Sequence, residues 1–361
     1  MAFDTAIIGA GALGLWAARH AVKRGESVVL IEKRHIGAGA SGGFLGALMP
    51  HMPDSWNTKK QLQYEGLSTI GDAIEELEAD TEIDCGFRRC GRFMPLVHEK
   101  ILPQVERRIE GAQTYWSDRY SMSVLPSNHD GDWIDPDIAS HGIQHDTLSA
   151  RIDPRACLKA LETYVRPRVE LMAGTEAINL CLLKDGGCIS ISNGSKISAG
   201  RIIVANGWEA YPLLQPFMGD MNSGQPIGRG VKGQAVLVEF EHYDTMPIAY
   251  HDGCYVVPQK GNRVAIGSTS LNQWQGEPDA FDPNNMGFYE KAIELVPALK
   301  DAPIIDRWAG VRPRNTIEGR GTSPWFGPIP DNENLIALIG GFKITLGVAH
   351  LDFSILPFVN S

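Results

Sequence analysis

Short apolar runs separated by glycine-rich turns dominate the start of the chain. Residues 5–8 are Thr-Ala-Ile-Ile, a run typical of a strand buried in a parallel sheet. Residues 13–23 are apolar and rich in alanine, and they predict a helix that stops at Gly25. Residues 27–31 predict a second buried strand, which ends at Glu32. This strand–helix–strand order predicts an α/β fold built on a parallel sheet.

The turn between the first strand and the helix has the pattern GxGxxG. Gly9 permits the tight turn, Gly11 lets the backbone approach a pyrophosphate, and Gly14 lets the helix pack closely on the strand. The helix N-terminus then faces the pyrophosphate with free N–H groups. Glu32 lies 21 positions after Gly11, where an acid accepts hydrogen bonds from ribose hydroxyls. The predicted dinucleotide-binding residues of this unit are Gly9, Gly11, Ala12, Leu13, Gly14, Glu32 and Lys33.

A further glycine-rich run, residues 37–46, directly follows the Glu32 strand. It favours FAD over a nicotinamide dinucleotide, because the backbone is suited to approach a large ligand over many residues. The stretch from Glu32 through Ala38, Ser41 and Gly42 resembles the flavoprotein family of glycine oxidase, D-amino acid oxidase and sarcosine oxidase. Ser41 and Gly42 are therefore expected at the flavin or its pyrophosphate. The run also matches the GxSxG pattern of serine hydrolases, but no strand immediately precedes Ser41 to present it on a sharp turn.

Later segments resemble motifs of the same family in the same order. They are residues 151–154, 201–208, 232–234, 255–258, 264–269, 308–313 and 335–347. In the first of these segments, Asp153 is predicted to cap a helix whose first residue is Pro154. The resemblance implies further flavin contacts at Ala205, Gly207, Gly340, Gly341, Phe342 and Lys343.

Some positions depart from the family pattern. Thr345 stands where glycine is usual, so the last turn beside the flavin is expected to differ. No cysteine lies near residues 325–326, where sarcosine oxidases resemble one another in carrying a flavin-linking cysteine, so non-covalent FAD is expected. Ala265 stands about where those enzymes carry an oxygen-activating lysine, so that contribution to a rapid reaction with O2 is not expected here.

The resemblance implies a discontinuous, Rossmann-like FAD domain and a substrate domain with a mostly antiparallel sheet. We expect the FAD domain to comprise residues 1–80, 150–210 and 305–361. The substrate domain is expected to comprise residues 81–149 and 211–304.

Four residues are candidates for contact with the substrate. Arg312 lies in an apolar stretch, and a buried guanidinium needs an anion. A structural Asp or Glu can fill that need, but the resemblance implies a substrate carboxylate held by two hydrogen bonds. Tyr255 either points its hydroxyl into the site or is an ordinary aromatic of a half-buried sheet. His51 is a proton acceptor, a substrate contact or a structural histidine. Lys343 either touches the substrate or flavin or faces solvent.

Composition narrows the function classes. The chain has 361 residues and a formal net charge of −10, which counts against a nucleic-acid partner. No apolar run reaches the ~20 residues of a membrane-spanning helix, and the N-terminus does not resemble a signal peptide. The 6 cysteines form no CxxC pair and are expected to be reduced. A cytoplasmic protein without a catalytic metal is expected, and a homo-oligomer stays open.

These observations predict a FAD-dependent oxidoreductase. The expected reaction oxidises the C–N bond of a small amino acid, or of an N-substituted amino acid, to an imino acid. Hydride passes from the neutral amine to flavin N5, and O2 or another acceptor removes the electrons. Arg312 would anchor the carboxylate, and the dipole of a helix that begins near Gly340 would favour the charge of the reduced flavin.

Other activities on the same fold stay open. One is a dehydrogenase that passes electrons to a quinone or another electron carrier, possibly acting on a 2-hydroxy acid. Another is a flavin-dependent module for tRNA-base modification, against which the acidic net charge counts. A non-catalytic FAD-binding protein is a further alternative. The sequence leaves open the amine, its chirality, the electron acceptor and the oligomeric state.

Overall fold

The structure is a computed structural model that describes residues 3–340 except Asp130, Asp132 and Arg320. The strands are β1 (Phe3–Ile8), β2 (Val28–Glu32), β3 (Ala47–Leu48), β4 (Arg92–Pro95), β5 (Met122–Leu125), β6 (Ile143–Asp146), β7 (Ala150–Arg151), β8 (Glu170–Ala173), β9 (Ala177–Leu183), β10 (Gly186–Ile191), β11 (Lys196–Val204), β12 (Gly228–Glu239), β13 (Ile248–His251), β14 (Cys254–Gln259), β15 (Arg263–Gly267), β16 (Ile304–Asn315), β17 (Trp325–Ile329) and β18 (Asn332–Ile339). The α-helices are α1 (Ala12–Lys23), α2 (Thr58–Thr81), α3 (Leu102–Tyr115), α4 (Pro154–Val165), α5 (Ala210–Met218) and α6 (Gly287–Leu295). Short 3₁₀ helices cover Ala40–Gly42, Glu99–Ile101, Arg166–Arg168, Gly207–Glu209, Gly219–Asn222 and Pro297–Leu299.

A parallel sheet forms the first half of the fold. Its parallel strands lie in the order β18-β11-β1-β2-β8, with β17 antiparallel at the edge beside β18. Strands β9 and β10 extend β11 as an antiparallel hairpin. The predicted strand–helix–strand unit is confirmed as β1, α1 and β2.

Alternation along the parallel strands divides the core between the two faces of this sheet. Ile7 and Leu30 face one side, where they pack in a buried cluster that also contains residues of α1, α2 and α4. Ile8 and Ile31 face the other side and pack with residues of α5. Because both faces are covered, the central residues of these strands form short apolar runs, such as residues 6–8, 28–31 and 202–204.

A second sheet is mostly antiparallel. Among the described residues, its strands lie in the order β16-β12-β15-β14-β13-β4-β6-β5, and β13 with β4 is its parallel pair. One face packs on α6, and the other contributes Ala235, Val257 and Ala265 to a cluster with Phe44 and partly buried Trp308. The predicted fold class, a Rossmann-like α/β part with a mostly antiparallel substrate sheet, is confirmed.

The predicted domain boundaries stay a prediction. Strand β16 pairs with β12 along its length, so residues 305–315 lie in the antiparallel sheet, although our sequence-based division gives them to the FAD domain. The strand pair β3 and β7 joins the glycine-rich loop to the residues before α4. In the described part of the chain, no helix is long and apolar enough to cross a membrane.

Candidate functional site

A cavity of about 760 Å³ lies where the carboxyl ends of the parallel strands meet the antiparallel sheet. Ile8, Glu32 and Leu338 line it from the parallel sheet, while Tyr255 and Trp308 line it from the antiparallel sheet. Ligands of doubly wound α/β sheets bind at this end of the strands. The volume falls in the range of small-molecule and cofactor sites.

The first turn of the parallel sheet has no room for side chains. Gly9 has a φ of +101°, and a Cβ placed there would lie 2.6 Å from Asn206 Cα. A Cβ on Gly14 would lie 1.8 Å from the carbonyl oxygen of Gly9, so helix α1 can approach β1 only with glycine at this position. A Cβ on Gly11 would lie 3.0 Å from Ser41 Oγ. Gly9 and Gly14 therefore allow one backbone segment to approach another, whereas Gly11 leaves space beside the Ser41 side chain.

Polar groups at this end of the cavity are held in place by the backbone. The Glu32 carboxylate accepts hydrogen bonds from the backbone N–H groups of Ala10, at 2.9 Å, and Arg34, at 2.8 Å. Ser41 Oγ accepts a hydrogen bond from the N–H of Ala12 at 3.0 Å. These backbone hydrogen bonds orient the carboxylate and the hydroxyl.

The residues of this end fit FAD. Gly9, Gly11 and the start of α1 provide a backbone cradle without side chains, and Glu32 provides an acceptor for ribose hydroxyls. Asn206 lines the cavity, and its buried Oδ1 has no hydrogen-bond partner among the described residues. A buried acceptor without a partner is costly, so a donor from a bound ligand would satisfy it.

At the other end of the cavity, strand β16 presents Arg312. Its Nη1 donates to Ser268 Oγ at 3.2 Å and its Nη2 donates to the carbonyl oxygen of Thr269 at 2.7 Å. In the described part of the chain, its buried Nε has no hydrogen-bond partner and no carboxylate forms an ion pair with the guanidinium. The guanidinium lies over Gly233, where a Cβ would be 2.9 Å from Nη2. Burial lowers the pKa of Arg312, yet an arginine stays charged in proteins.

Tyr255 lines the same part of the cavity from strand β14. Its ring lies 4.8 Å from that of Tyr250, at an interplanar angle of 60°. Burial raises the pKa of Tyr255 to about 12. The phenol is therefore neutral at physiological pH and can donate or accept a hydrogen bond, but it is not a base.

The structure brings most of the candidate residues to this cavity. Among the described residues, the predicted ones that line it are Gly9, Gly11, Ala12, Leu13, Glu32, Lys33, Ser41, Ala205, Gly207, Tyr255 and Arg312. Gly341, Phe342 and Lys343, with the helix expected after Gly340, lie outside the described residues.

Four other candidates lie elsewhere. Three of them are glycines that permit close packing but do not line the cavity: Gly14, Gly42 and Gly340. A Cβ on Gly42 would lie 2.6 Å from the carbonyl oxygen of Gly37. A Cβ on Gly340 would lie 2.5 Å from Asn315 Nδ2. His51 is exposed and outside the lining, and its backbone N–H donates to Gln63 Oε1 at 2.6 Å. The structure therefore does not bring His51 to Arg312 and Tyr255.

The segment after β8 also lines the cavity, which the sequence analysis missed. Strand β8 pairs in parallel with β2, so residues 175–178 lie beside Glu32. Thr175 N donates to the carbonyl oxygen of Glu32 at 2.9 Å, and Lys33 pairs with Glu176 at 2.9 Å. The signal was the apolar pattern of residues 169–172 after α4, which indicates a further parallel strand whose carboxyl end meets the same edge.

Comparisons with known proteins agree with this geometry. The model of a family described as DAO, FAD dependent oxidoreductase, matches residues 4–351. A glycine oxidase of Bacillus subtilis (strain 168) is 24% identical over 355 residues, which cover 94% of this chain and 88% of the relative.

Two solved structures share the fold. A glycine oxidase from Geobacillus kaustophilus has a TM-score of 0.84 at 22% identity, covering 98% of this chain and 93% of that one. An iminodiacetate oxidase from Chelativorans sp. BNC1 has a TM-score of 0.79 at 21% identity, covering 96% and 93%.

Proposed function

This chain belongs to the DAO family of FAD-dependent oxidoreductases, and from that premise we propose that it oxidises the C–N bond of a small amino acid, or of an N-substituted amino acid, to an imino acid. The proposed final electron acceptor is O2. Glycine oxidase, the relative reported above, bears the name of such a reaction on glycine. Cytoplasmic location stays a prediction from the sequence, and the oligomeric state stays open.

The uncompensated charge of Arg312 carries this proposal. The guanidinium is half-buried, lines the cavity and is held by the neutral acceptors Ser268 and Thr269 rather than by a carboxylate of the described residues. A charge in such a place is costly unless an anion pairs with it. A substrate carboxylate would supply that anion through two parallel hydrogen bonds.

The residues around Arg312 suit the oxidation of a neutral amine. From the antiparallel sheet, the titratable residues that line the cavity in the described part of the chain are Arg312 and Tyr255. Neither accepts a proton near pH 7, because the arginine stays charged and the pKa of Tyr255 is about 12. The amine therefore reaches the reaction already deprotonated, and Arg312 fixes its Cα–H in position.

When bound, FAD would supply the electron acceptor for the hydride that leaves the substrate Cα. A non-covalent complex is proposed because none of the 6 cysteines of the chain lines the described cavity. The side chains of Glu32 and Asn206 and the backbone at Gly11 would hold the cofactor.

Anaerobic titration of the purified protein tests the proposed function. We expect a yellow protein, bleached by one or more of glycine, sarcosine, D-amino acids and L-amino acids but not by 2-hydroxy acids, with flavin released by acid. Bleaching by 2-hydroxy acids alone would contradict the proposed substrate class. Under air, we expect stoichiometric peroxide. Its absence, together with fast reduction of a quinone, would identify a dehydrogenase instead.

A further inference from the structure

Arg312 belongs to a set of arginines on one face of the antiparallel sheet. Arg314 follows it by two positions on strand β16, so the two side chains leave the strand on the same face. Arg229 of strand β12 lies directly opposite Arg314 in the register. We call Arg312, Arg314 and Arg229 the arginine row.

Neutral groups of one loop hold the two guanidiniums of β16. Arg314 Nη1 donates to Asn272 Oδ1 at 3.1 Å and its Nη2 to Ser270 Oγ at 3.3 Å. Its Nε is buried and has no partner among the residues that the structure describes. Arg312 is held by Ser268 and Thr269 of the same loop. These hydrogen bonds orient the guanidiniums without neutralising them.

The arginine row carries positive charge that no described carboxylate balances. None of its members forms an ion pair with a carboxylate among the described residues, although the chain has 43 acidic and 33 basic residues. Like charges directly opposite each other on a sheet are destabilising, and Arg314 and Arg229 stand in that relation. Burial lowers the pKa of Arg312, and the charge of Arg314 lowers it further, as expected for neighbouring cations.

Exposure rises along the arginine row from the cavity to solvent. Arg312 lines the cavity, Arg314 is half-buried one step further along the strand, and Arg229 is exposed. Successive positions on one face of a strand are separated by about 6.6 Å. A ligand whose first carboxylate binds Arg312 would therefore bring an acidic group several bonds away to Arg314.

We propose that the substrate carries a second acidic group and that Arg314, with Arg229 beside it, binds this group at the mouth of the cavity. The substrate class is then an amino acid with a second carboxylate or phosphate on its side chain or on its nitrogen substituent. This inference rests on the proposed function, because it takes Arg312 as the site of the first carboxylate.

A preference for ligands with a second acidic group can be measured without turnover. The method is calorimetric titration of the FAD-loaded protein with ligands that lack an amine. Valerate and glutarate have the same length and differ by one carboxylate, and 4-phosphonobutyrate replaces that group by a phosphonate. The variants are Arg314→Ala and Arg314→Gln. Arg307→Ala is the matched control, because Arg307 lies on the same strand at an odd spacing from Arg312, is exposed, and opposes Val236 in the register.

In the wild type we expect glutarate or 4-phosphonobutyrate to bind at least about tenfold more tightly than valerate, as one charge-assisted hydrogen-bonded contact provides. The acid that shows the larger preference identifies the type of the second group. Both Arg314 variants should lose this preference and keep the affinity for valerate, whereas Arg307→Ala should keep both.

Equal binding of valerate and the two diacids by the wild type would overturn the inference, and so would a preference that survives Arg314→Gln. If Arg307→Ala lost the preference for the diacids over valerate as fully as the Arg314 variants, the inference would be overturned as well, since net charge alone would then explain the effect. If the wild type shows no saturable binding of any of these acids, the proposed function itself fails.

Discussion

Gly11 tests whether the turn between β1 and α1 binds the pyrophosphate of FAD. A Cβ there would already be 3.0 Å from Ser41 Oγ. The two methyl groups that valine adds beyond its Cβ would also occupy the space of a pyrophosphate. We expect Gly11→Val to purify without flavin. As a control, Gly287→Ala adds a Cβ that meets nothing within 4 Å and should leave flavin content unchanged. A yellow Gly11→Val protein with wild-type affinity would contradict the assignment of this turn.

Tyr255 is expected to bind substrate without titrating. Its pKa of about 12 keeps the phenol protonated throughout the working pH range. We expect Tyr255→Phe to weaken substrate binding by about 2- to 12-fold, the value of one neutral hydrogen bond. The pH profile of flavin reduction from pH 6 to pH 10 should keep the wild-type inflection, which belongs to the substrate amine. Loss of that inflection in the variant would show that Tyr255 is the titrating group.

Single residues differ in how far the sequence predicts them. Gly9, Gly11 and Glu32 could be predicted because their spacing repeats a local strand–turn–helix geometry. The neighbours of Gly340 and the exposure of His51 could not, because they depend on contacts with residues such as Asn315 and Gln63 in other elements. A motif fixes local backbone geometry, whereas burial is set by the packing of distant segments.

At the scale of elements, helix α4 begins at an N-cap that the sequence predicts and the structure confirms. Asp153 accepts hydrogen bonds from the N–H groups of Arg155 and Ala156, and Pro154 is the first helical residue. Asp153 also pairs with Arg263 at 3.2 Å, which ties the helix to strand β15.

We expect Asp153→Ala to lower the free energy of unfolding by about 0.5–2 kcal/mol, because the first turn of α4 loses its cap. Asp153→Asn is the control, since asparagine caps a helix about as well but cannot form the ion pair with Arg263. Urea denaturation followed by circular dichroism measures both. A loss of the same size in Asp153→Asn would assign the effect to the ion pair instead of the cap.

Elements with a local pattern were predictable, and elements placed by pairing were not. The predicted strand of residues 5–8 corresponds to β1, and the predicted helix of residues 13–23 corresponds to α1. The position of β16 in the antiparallel sheet depends on its pairing with β12, and its apolar pattern alone does not select a sheet. The pattern of residues 169–172 indicates a strand, but the position of the following segment beside Glu32 comes from the parallel pairing of β8 with β2.

At the scale of the whole molecule, buried thiols and phenols are expected to make the folded protein less stable at alkaline pH. Burial raises the pKa of the Cys90 thiol from 9.0 to about 11, and that of the Cys254 thiol from 9.0 to about 12. Burial also raises the pKa of the phenols of Tyr211 and Tyr255. Above pH 9 for the thiols, and above pH 10 for the phenols, the unfolded chain loses these protons before the folded protein does, so the unfolded state is favoured.

We expect the urea midpoint to be steady from pH 7 to pH 8.5 and to fall as the pH rises towards 12. Each of these two thiols should lower the free energy of unfolding by roughly 3–4 kcal/mol once it is deprotonated in both the folded and the unfolded state. Cys90→Ala should make the decline shallower, while Cys181→Ala should not, because Cys181 is exposed. A midpoint that stays constant up to pH 11 would contradict this account.

The arrangement of the two sheets was predictable from the resemblance but not from the hydrophobic pattern. The order of motifs along the chain implies both sheets, and the structure confirms them. The cavity between them depends on how Trp308 and Gly43 pack, since a Cβ on Gly43 would lie 3.3 Å from the Trp308 ring. Such contacts join residues far apart in the sequence, so the shape of the site became visible only in the folded molecule.

The proposed function depends on Arg312 as the anchor of the substrate carboxylate. The most direct measurement is the anaerobic rate of flavin reduction by an amino acid and by its uncharged amide, in the wild type and in Arg312→Ala. We expect the variant to keep its flavin and to lose about 30- to 4000-fold in affinity for the amino acid, the cost of truncating one member of a buried charge pair. Its rate with the amide should change little, and Arg312→Lys should recover only part, because an ammonium cannot form the two-pronged contact. A yellow variant that is reduced by both compounds at the wild-type rates would contradict the account.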